Sequence, residues 1–318
     1  MSSRSVSLPG ARGGTASVLL AAMLWGTTGT AATFARTAGP FAIGAAAMGV
    51  GGLLQAAVAS GPIARERQAL LGQRNVLLLG ASAVAVYPLM FYGSMRLVGV
   101  AVGTVVSIGS APIAAALVEM VVDGRRLSRR LSAAATIGLA GVALLSVAQS
   151  GSASSYRRAE SGQPALFGGW SHHQTLIGIG FGLVAGLTYA LYSWTAHRLM
   201  RGGVSTRPAM GAIFGLGGLM LMPVLLVTGS PFVQSGTDAA VAAYMALVPM
   251  FVGYTLFGWG LAHVAASTAT ILTLLEPAVA AALAVAVVGE HVSAAGWVGV
   301  VLVLAGLTVL ASPQKEAQ

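Results

Sequence analysis

The sequence predicts an all-α membrane protein: ten transmembrane helices arranged as two inverted five-helix repeats, with the N- and C-termini cytoplasmic. Three observations carry this. Of 318 residues, 56% are hydrophobic and only 8% charged, against about 25% charged in soluble domains. Charge that sparse cannot cover a water-facing surface, so the surrounding solvent is lipid. Apolar stretches of about 20 residues, the length that crosses a ~30 Å hydrocarbon core at 1.5 Å per residue, follow one another along the chain. Finally, the second half repeats the first at a fixed offset, the one that separates Pro112 from Pro277.

In chain order, residues 1–14 form a short polar N-terminal tail and 15–149 the first five-helix repeat, with spans at 15–35, 41–60, 74–94, 100–120 and 131–149. A polar Ser/Gly stretch, 150–173, is an extracytoplasmic linker. The second repeat fills 174–312, with spans at 174–195, 208–229, 239–260, 265–287 and 294–312, and 313–318 is a tail. The first apolar stretch is longer than a signal-peptide core of roughly 7–15 residues, and it reads as a span rather than a cleaved leader. Short cytoplasmic loops accumulate Lys and Arg. With the N-terminus inside, 13 of the 17 basic residues face the cytoplasm and four (Arg36, Arg96, Arg157, Arg158) face outward.

The repeat is read residue by residue. At the offset of Pro112 and Pro277, Gly93 matches Gly258, Ala101 matches Ala266, Gly124 matches Gly289, and Ser128 matches Ser293. The run Leu139-Ala140-Gly141 matches Leu304-Ala305-Gly306. One register serving the whole length marks two copies of one unit. Five helices is an odd number, so the second copy enters the membrane upside down, the inverted-repeat design of secondary transporters.

Other function classes find little support. There is no cysteine, hence no disulfide, thiolate metal site or thiol nucleophile. The net charge of +9 is dispersed between apolar spans, unlike the basic patch that binds nucleic acid. No Gly-rich phosphate loop points to a nucleotide-hydrolysing domain. The five histidines (His172, His173, His197, His263, His291) lie near span ends or in loops, and the sequence implies no metal, no cofactor and no catalytic constellation. The partners it implies are a small-molecule substrate and the lipid bilayer of the cell (inner or plasma) membrane, crossed as a multi-pass protein by a monomer or homodimer.

Several stretches carry a family resemblance. Helix 1 has Leu24-Trp25-Gly26-Thr27-Thr28-Gly29; helix 4 has Gly103 through Pro112; the second half has Gly186-Leu187-Thr188-Tyr189-Ala190-Leu191-Tyr192. A long run from Ala266 contains Leu275-Glu276-Pro277 and is followed by Gly289-Glu290. From about residue 15 to 312 the chain resembles EamA-type transporters of the drug/metabolite transporter superfamily. The resemblance implies a ten-helix fold around a central cavity and export of amino acids or other small metabolites. Two positions depart from it: Gly124-Arg125 stands where the family often has Gly-Glu, and Met48-Gly49 where many relatives place an arginine.

Glu276 falls about eleven residues into helix 9, near the bilayer midplane. A carboxylate there costs about 2.5–3.5 kcal/mol on insertion scales, so it faces the protein interior or a wet cavity. It reads either as a proton or coupling site or as a structural partner for groups freed by Pro277. Pro112 and Pro277 are expected to kink helices 4 and 9 at equivalent depths, a pointer to a binding site. Thr270 and Thr273 before Glu276, and Ser107 and Ser110 before Pro112, form polar rows that either line a cavity or bond their own helix. Trp25, Tyr92, Tyr189 and Tyr192 are candidate cavity aromatics. Tyr87 and Tyr254 belong to the same set, with packing as the alternative for any one of them. Glu119 and Asp123, beside Arg125 and Arg126, suggest an interfacial ion pair. Gly178, Gly182 and Gly186 suit internal helix packing or dimerisation. The expected function is alternating-access export of a small metabolite, proton-coupled through Glu276; an importer or an uncoupled facilitator of the same fold is the alternative.

Overall fold

Inside hydrocarbon a backbone amide has no water to bond, and a helix satisfies its amides within the segment. A computed structural model describes residues 9–98, 100–124, 128–161, 172–289 and 292–311, and no strand occurs among them. The first half provides α1 (Pro9–Ala32), α2 (Pro40–Val58), α3 (Arg74–Val98), α4 (Val100–Asp123) and α5 (Arg129–Ser161). The second provides α6 (His172–Arg201), α7 (Thr206–Thr228), α8 (Gly236–Leu261), α9 (Ala266–Val287) and α10 (Ala294–Ala311). Eight of these, α2 to α9, are long and apolar enough to cross a membrane. Threonines and glycines dilute α1, and the apolar run of α10 ends at Leu310. Helix α5 continues to Ser161, into the stretch expected as linker; Arg125, Arg126, Glu290 and His291 lie outside the described residues.

The outward faces remain apolar: Leu226 and Val227 are each 84% exposed. That is the pattern of a bundle whose solvent is lipid rather than water. Its interior is closed by small residues. A Cβ on Gly141 of α5 would lie 2.6 Å from the Gly299 carbonyl oxygen of α10, and a Cβ on Gly299 would lie 2.7 Å from that of Gly141. Helix α6 is seated on α3 and α4 in the same way. Added carbons at Gly178, Gly182 and Gly186 would come within 2.9 Å of Leu97, 2.8 Å of Val106 and 2.7 Å of the Ser107 carbonyl. The glycine row of α6 therefore serves packing inside the chain.

Several contacts recur at the offset that relates Pro112 to Pro277. Ser128 Oγ accepts from Leu131 N–H and Ser293 Oγ from Gly296 N–H, so equivalent serines cap α5 and α10. Gly124 and Gly289, which precede them, both take positive φ, +66° and +77°, a conformation that favours glycine. Thr37 donates to Asp238 near one end of the bundle, while the equivalent pair, Gly202 and Gln73, bonds carbonyl to side-chain amide at the other.

Acidic side chains join the two halves. Glu119 of α4 is buried and accepts from both Ser267 N–H (3.1 Å) and Ser267 Oγ (2.6 Å), capping the start of α9. Asp123 accepts from Trp194 Nε1 (2.9 Å) and pairs with Arg198 (3.0 Å). Glu66 takes the Ser205 N–H and hydroxyl at the start of α7. Of the two acids expected to form an ion pair, Asp123 does so with Arg198, while Glu119 serves as a helix cap.

Two stability predictions follow from this packing. Gly141→Val should cost about 1–3 kcal/mol by overpacking, read as a lower thermal midpoint in detergent. Gly180→Val, with nothing within 4 Å of its added carbon, should leave the midpoint within error. Glu119→Ala strands the buried amide of Ser267 and should lower stability by about 1–3 kcal/mol, measured by the same melt.

Candidate functional site

A cavity lies between the halves, walled by six helices. Trp25 and Thr28 come from α1, Gly44, Ala47 and Met48 from α2, and Tyr87, Pro88, Phe91 and Tyr92 from α3. Tyr189 and Tyr192 come from α6, Met250 and Tyr254 from α8, and Glu276 from α9. It leaves ≈ 40 Å³ for the centres of water molecules, enough for a few waters. Beside it, a crevice of ≈ 430 Å³ by the same measure runs between α1, α8 and α9, bordered by Thr27, Phe34, Tyr244 and Leu283. Thr27 and Tyr244 share a 2.7 Å hydrogen bond there.

Irregular backbone supplies much of the lining. Helix α9 breaks into Ala266–Leu272 and Leu275–Leu283, and Glu276 is the second residue of the second piece. Two π-helical turns, Ala45–Val50 in α2 and Ala246–Val252 in α8, contribute Ala47, Met48 and Met250. Such turns widen a helix locally and are frequent at functional sites. The turn in α8 contains Pro249, whose carbonyl accepts from Trp25 Nε1 at 2.8 Å and fixes that indole against the cavity. Helix α1 reaches α9 closely at Gly26, where a Cβ would lie 3.0 Å from the Glu276 carbonyl oxygen.

The aromatic rings form one connected cluster. Trp25 meets Tyr254 at 4.6 Å between centroids, Tyr189 stacks on Tyr192 at 5.1 Å, and Tyr87 lies 5.6 Å from Tyr189. Their polar tips are largely matched: Tyr189 donates to Thr273 Oγ1 (2.9 Å), and the Tyr192 and Tyr254 hydroxyls bond each other (2.9 Å). Glu276 differs from the acids that join the halves. It has no hydrogen-bond or ion-pair partner among the described residues, and no Lys or Arg lines its cavity.

The structure thus brings Trp25, Tyr92, Tyr189, Tyr192 and Glu276 together on one cavity. Thr273 sits one layer behind, orienting Tyr189. Thr270 is fully buried and bonds the Ala266 and Ser267 carbonyls of its own helix. Neither Ser107 nor Ser110 lines the cavity: Ser110 faces α6 where Gly186 approaches and bonds the Ser107 carbonyl, and the fully buried Ser107 hydroxyl has no hydrogen-bond partner among the described residues. The two prolines also differ: Pro277 follows the break in α9, whereas α4 runs through Pro112 without interruption.

Residues not singled out from the sequence include Thr28, Gly44, Ala47, Met250, Pro88 and Phe91. Tyr87, Pro88, Phe91 and Tyr92 recur at helical spacing on one face of α3, a signal lost when the tyrosines are weighed singly. Pro249 hints at the irregular turn in α8; no residue type announces the one in α2.

Comparisons with known proteins agree with this architecture. The family model described as the EamA-like transporter family matches residues 12–147 and 176–312. An uncharacterized transporter, YwfM, of Bacillus subtilis (strain 168) is 32% identical over 94% of this chain and 94% of its own length. A protein named a probable terminal-alkyne amino-acid exporter, from Streptantibioticus cattleyicolor, is 22% identical over 92% of this chain and 94% of its own. A solved crystal structure, 20% identical and covering 93% of this chain and 95% of its own, superposes with a TM-score of 0.72, a likeness of fold. Matched in both halves by the family model and along nearly its whole length by a relative of this identity, the chain is a multi-pass membrane protein that belongs to the EamA-like transporter family.

Proposed function

We propose that this transporter is a secondary active exporter of a small metabolite, working by alternating access and coupled to protons through Glu276. The observation that carries the reading is the isolated carboxylate: Glu276 lines a cavity between the two halves, at the break in α9, with no basic residue beside it among the described residues. An intramembrane acid without a structural partner is costly and marks an ion or substrate path. Broken helices at the interface of repeats are where transporter sites form. On this reading α1 and α10 also cross the membrane, giving ten spans in the cell membrane with both termini cytoplasmic. The recurrence of the Ser128 and Ser293 caps supports two inverted copies of one unit. Rocking of one half against the other would expose Glu276 to each side in turn, and a carboxylate that takes up a proton on one side and releases it on the other links cargo movement to the proton gradient.

Glu276→Gln should reduce proton-driven efflux at least about tenfold, a loss of 1.4 kcal/mol or more, at unchanged protein level and thermal midpoint. Untargeted metabolite profiling of medium and cytoplasm, with an empty-vector control, reads this out. Equal efflux from wild type and variant would overturn the coupling role, and efflux from neither would point to import assays in proteoliposomes. Orientation is tested in the natural cysteine-free background by placing cysteine at Gly72 and Gly236, neither of which has an atom within 4 Å of an added Cβ. In intact cells a membrane-impermeant maleimide should label Gly236→Cys and spare Gly72→Cys; the reverse pattern means the topology is inverted.

A further inference from the structure

Cargo recognition has to be built from what the cavity offers, and the offer is one-sided in charge. Among the described residues, Glu276 is the sole carboxylate on its wall, and no Lys or Arg lines it. Hydrogen-bond donors there are already engaged for the most part. Trp25 Nε1 is held by the Pro249 carbonyl, Thr28 Oγ1 by the Trp25 carbonyl (2.7 Å) and the Tyr189 hydroxyl by Thr273. A helix start is the usual place for an anion to meet free amides, but the break in α9 provides few. Leu274 N–H bonds the Ile271 carbonyl, Glu276 N–H bonds the Thr273 carbonyl, and Pro277 has no N–H. A carboxylate entering this cavity would meet Glu276 and, on the donor side, chiefly the neutral hydroxyls of Tyr87 and Tyr92.

A cation meets the opposite conditions. Aromatic side chains from α1, α3, α6 and α8 surround the carboxylate. Ring faces attract ammonium groups through their quadrupoles, more strongly where water is excluded. A desolvated positive charge that also reaches Glu276 is paired, whereas an anion would find no cationic side chain to pair with among the described residues.

We infer that the cargo of this site is an organic cation, an amine or quaternary ammonium compound without a free carboxylate, held by Glu276 and the surrounding rings. The inference rests on the reading of this cavity as the transport site. It narrows the small-metabolite class to compounds distinct from zwitterionic amino acids.

Three probes of one ring size and different charge test it: phenethylamine, phenylalanine and 3-phenylpropionate, with tetramethylammonium as a ring-free cation. Binding to the purified full-length protein in detergent is measured by calorimetry. Phenethylamine should bind at least about tenfold tighter than phenylalanine, 3-phenylpropionate should show no saturation, and Glu276→Gln should abolish the preference while Glu276→Asp retains it. Phenylalanine or 3-phenylpropionate binding as tightly as phenethylamine overturns the proposal, as does an amine affinity unchanged by Glu276→Gln. If neither cation binds while wild-type-dependent metabolite export persists in cells, the cargo class is wrong and the transporter reading stands. If export is absent as well, the reading of the site falls with it.

Discussion

Hydrocarbon offers no hydrogen bonds, so most polar groups that the helices carry into the bundle are met by another part of the same chain. Much of this structure follows from how that requirement is satisfied. Glu66, Glu119 and Asp123 from the first half reach Ser205, Ser267 and Arg198 in the second, and Asp238 of the second half reaches Thr37 in the first. Two of these contacts also cap the starts of α7 and α9, so the acids fix where helices begin as well as which helices adjoin. Against that background Glu276 is conspicuous by its surroundings. Glu66, Glu119, Asp123 and Asp238 have structural work, and this one faces a cavity.

The cavity in turn depends on how closely the helices approach. Helix α6 places Tyr189 and Tyr192 on the wall because its glycine face lies flush against α3 and α4. Gly44 does the same for α2, since a Cβ there would lie 2.7 Å from the Tyr92 ring. With little hydrophobic driving force between helices in lipid, such contact is a main source of cohesion. Bulk at these positions would move the wall as well as weaken the bundle.

The parts legible in the sequence were those set by local chemistry. Apolar runs of spanning length placed the helices to within a few residues for most of α2 to α9, and the offset between Pro112 and Pro277 anticipated the paired caps at Ser128 and Ser293. Leu275-Glu276-Pro277 pointed to the cavity. What escaped depends on azimuth and partner choice, which one helix cannot encode alone. Ser107, Ser110 and Thr270 have the spacing of a cavity stripe but do not line the cavity; Ser110 and Thr270 bond the backbone of their own helices. Glu119 sits near arginines in sequence and finds a serine 148 positions away. The α2 π turn has no compositional mark, since one extra residue per turn is a matter of packing.

The ties between halves are unevenly shared between the two ends of the bundle. Glu66, Glu119 and Asp123 all act at the end that carries the connections before α3, α5, α7 and α9, whereas the opposite end is held by Asp238 alone among the described acids. Two copies of one unit with identical sequences would place the same ties at both ends. Divergence at these few acids makes the two ends unequal: polar cohesion between the halves is concentrated at one of them, through residues that do not line the cavity.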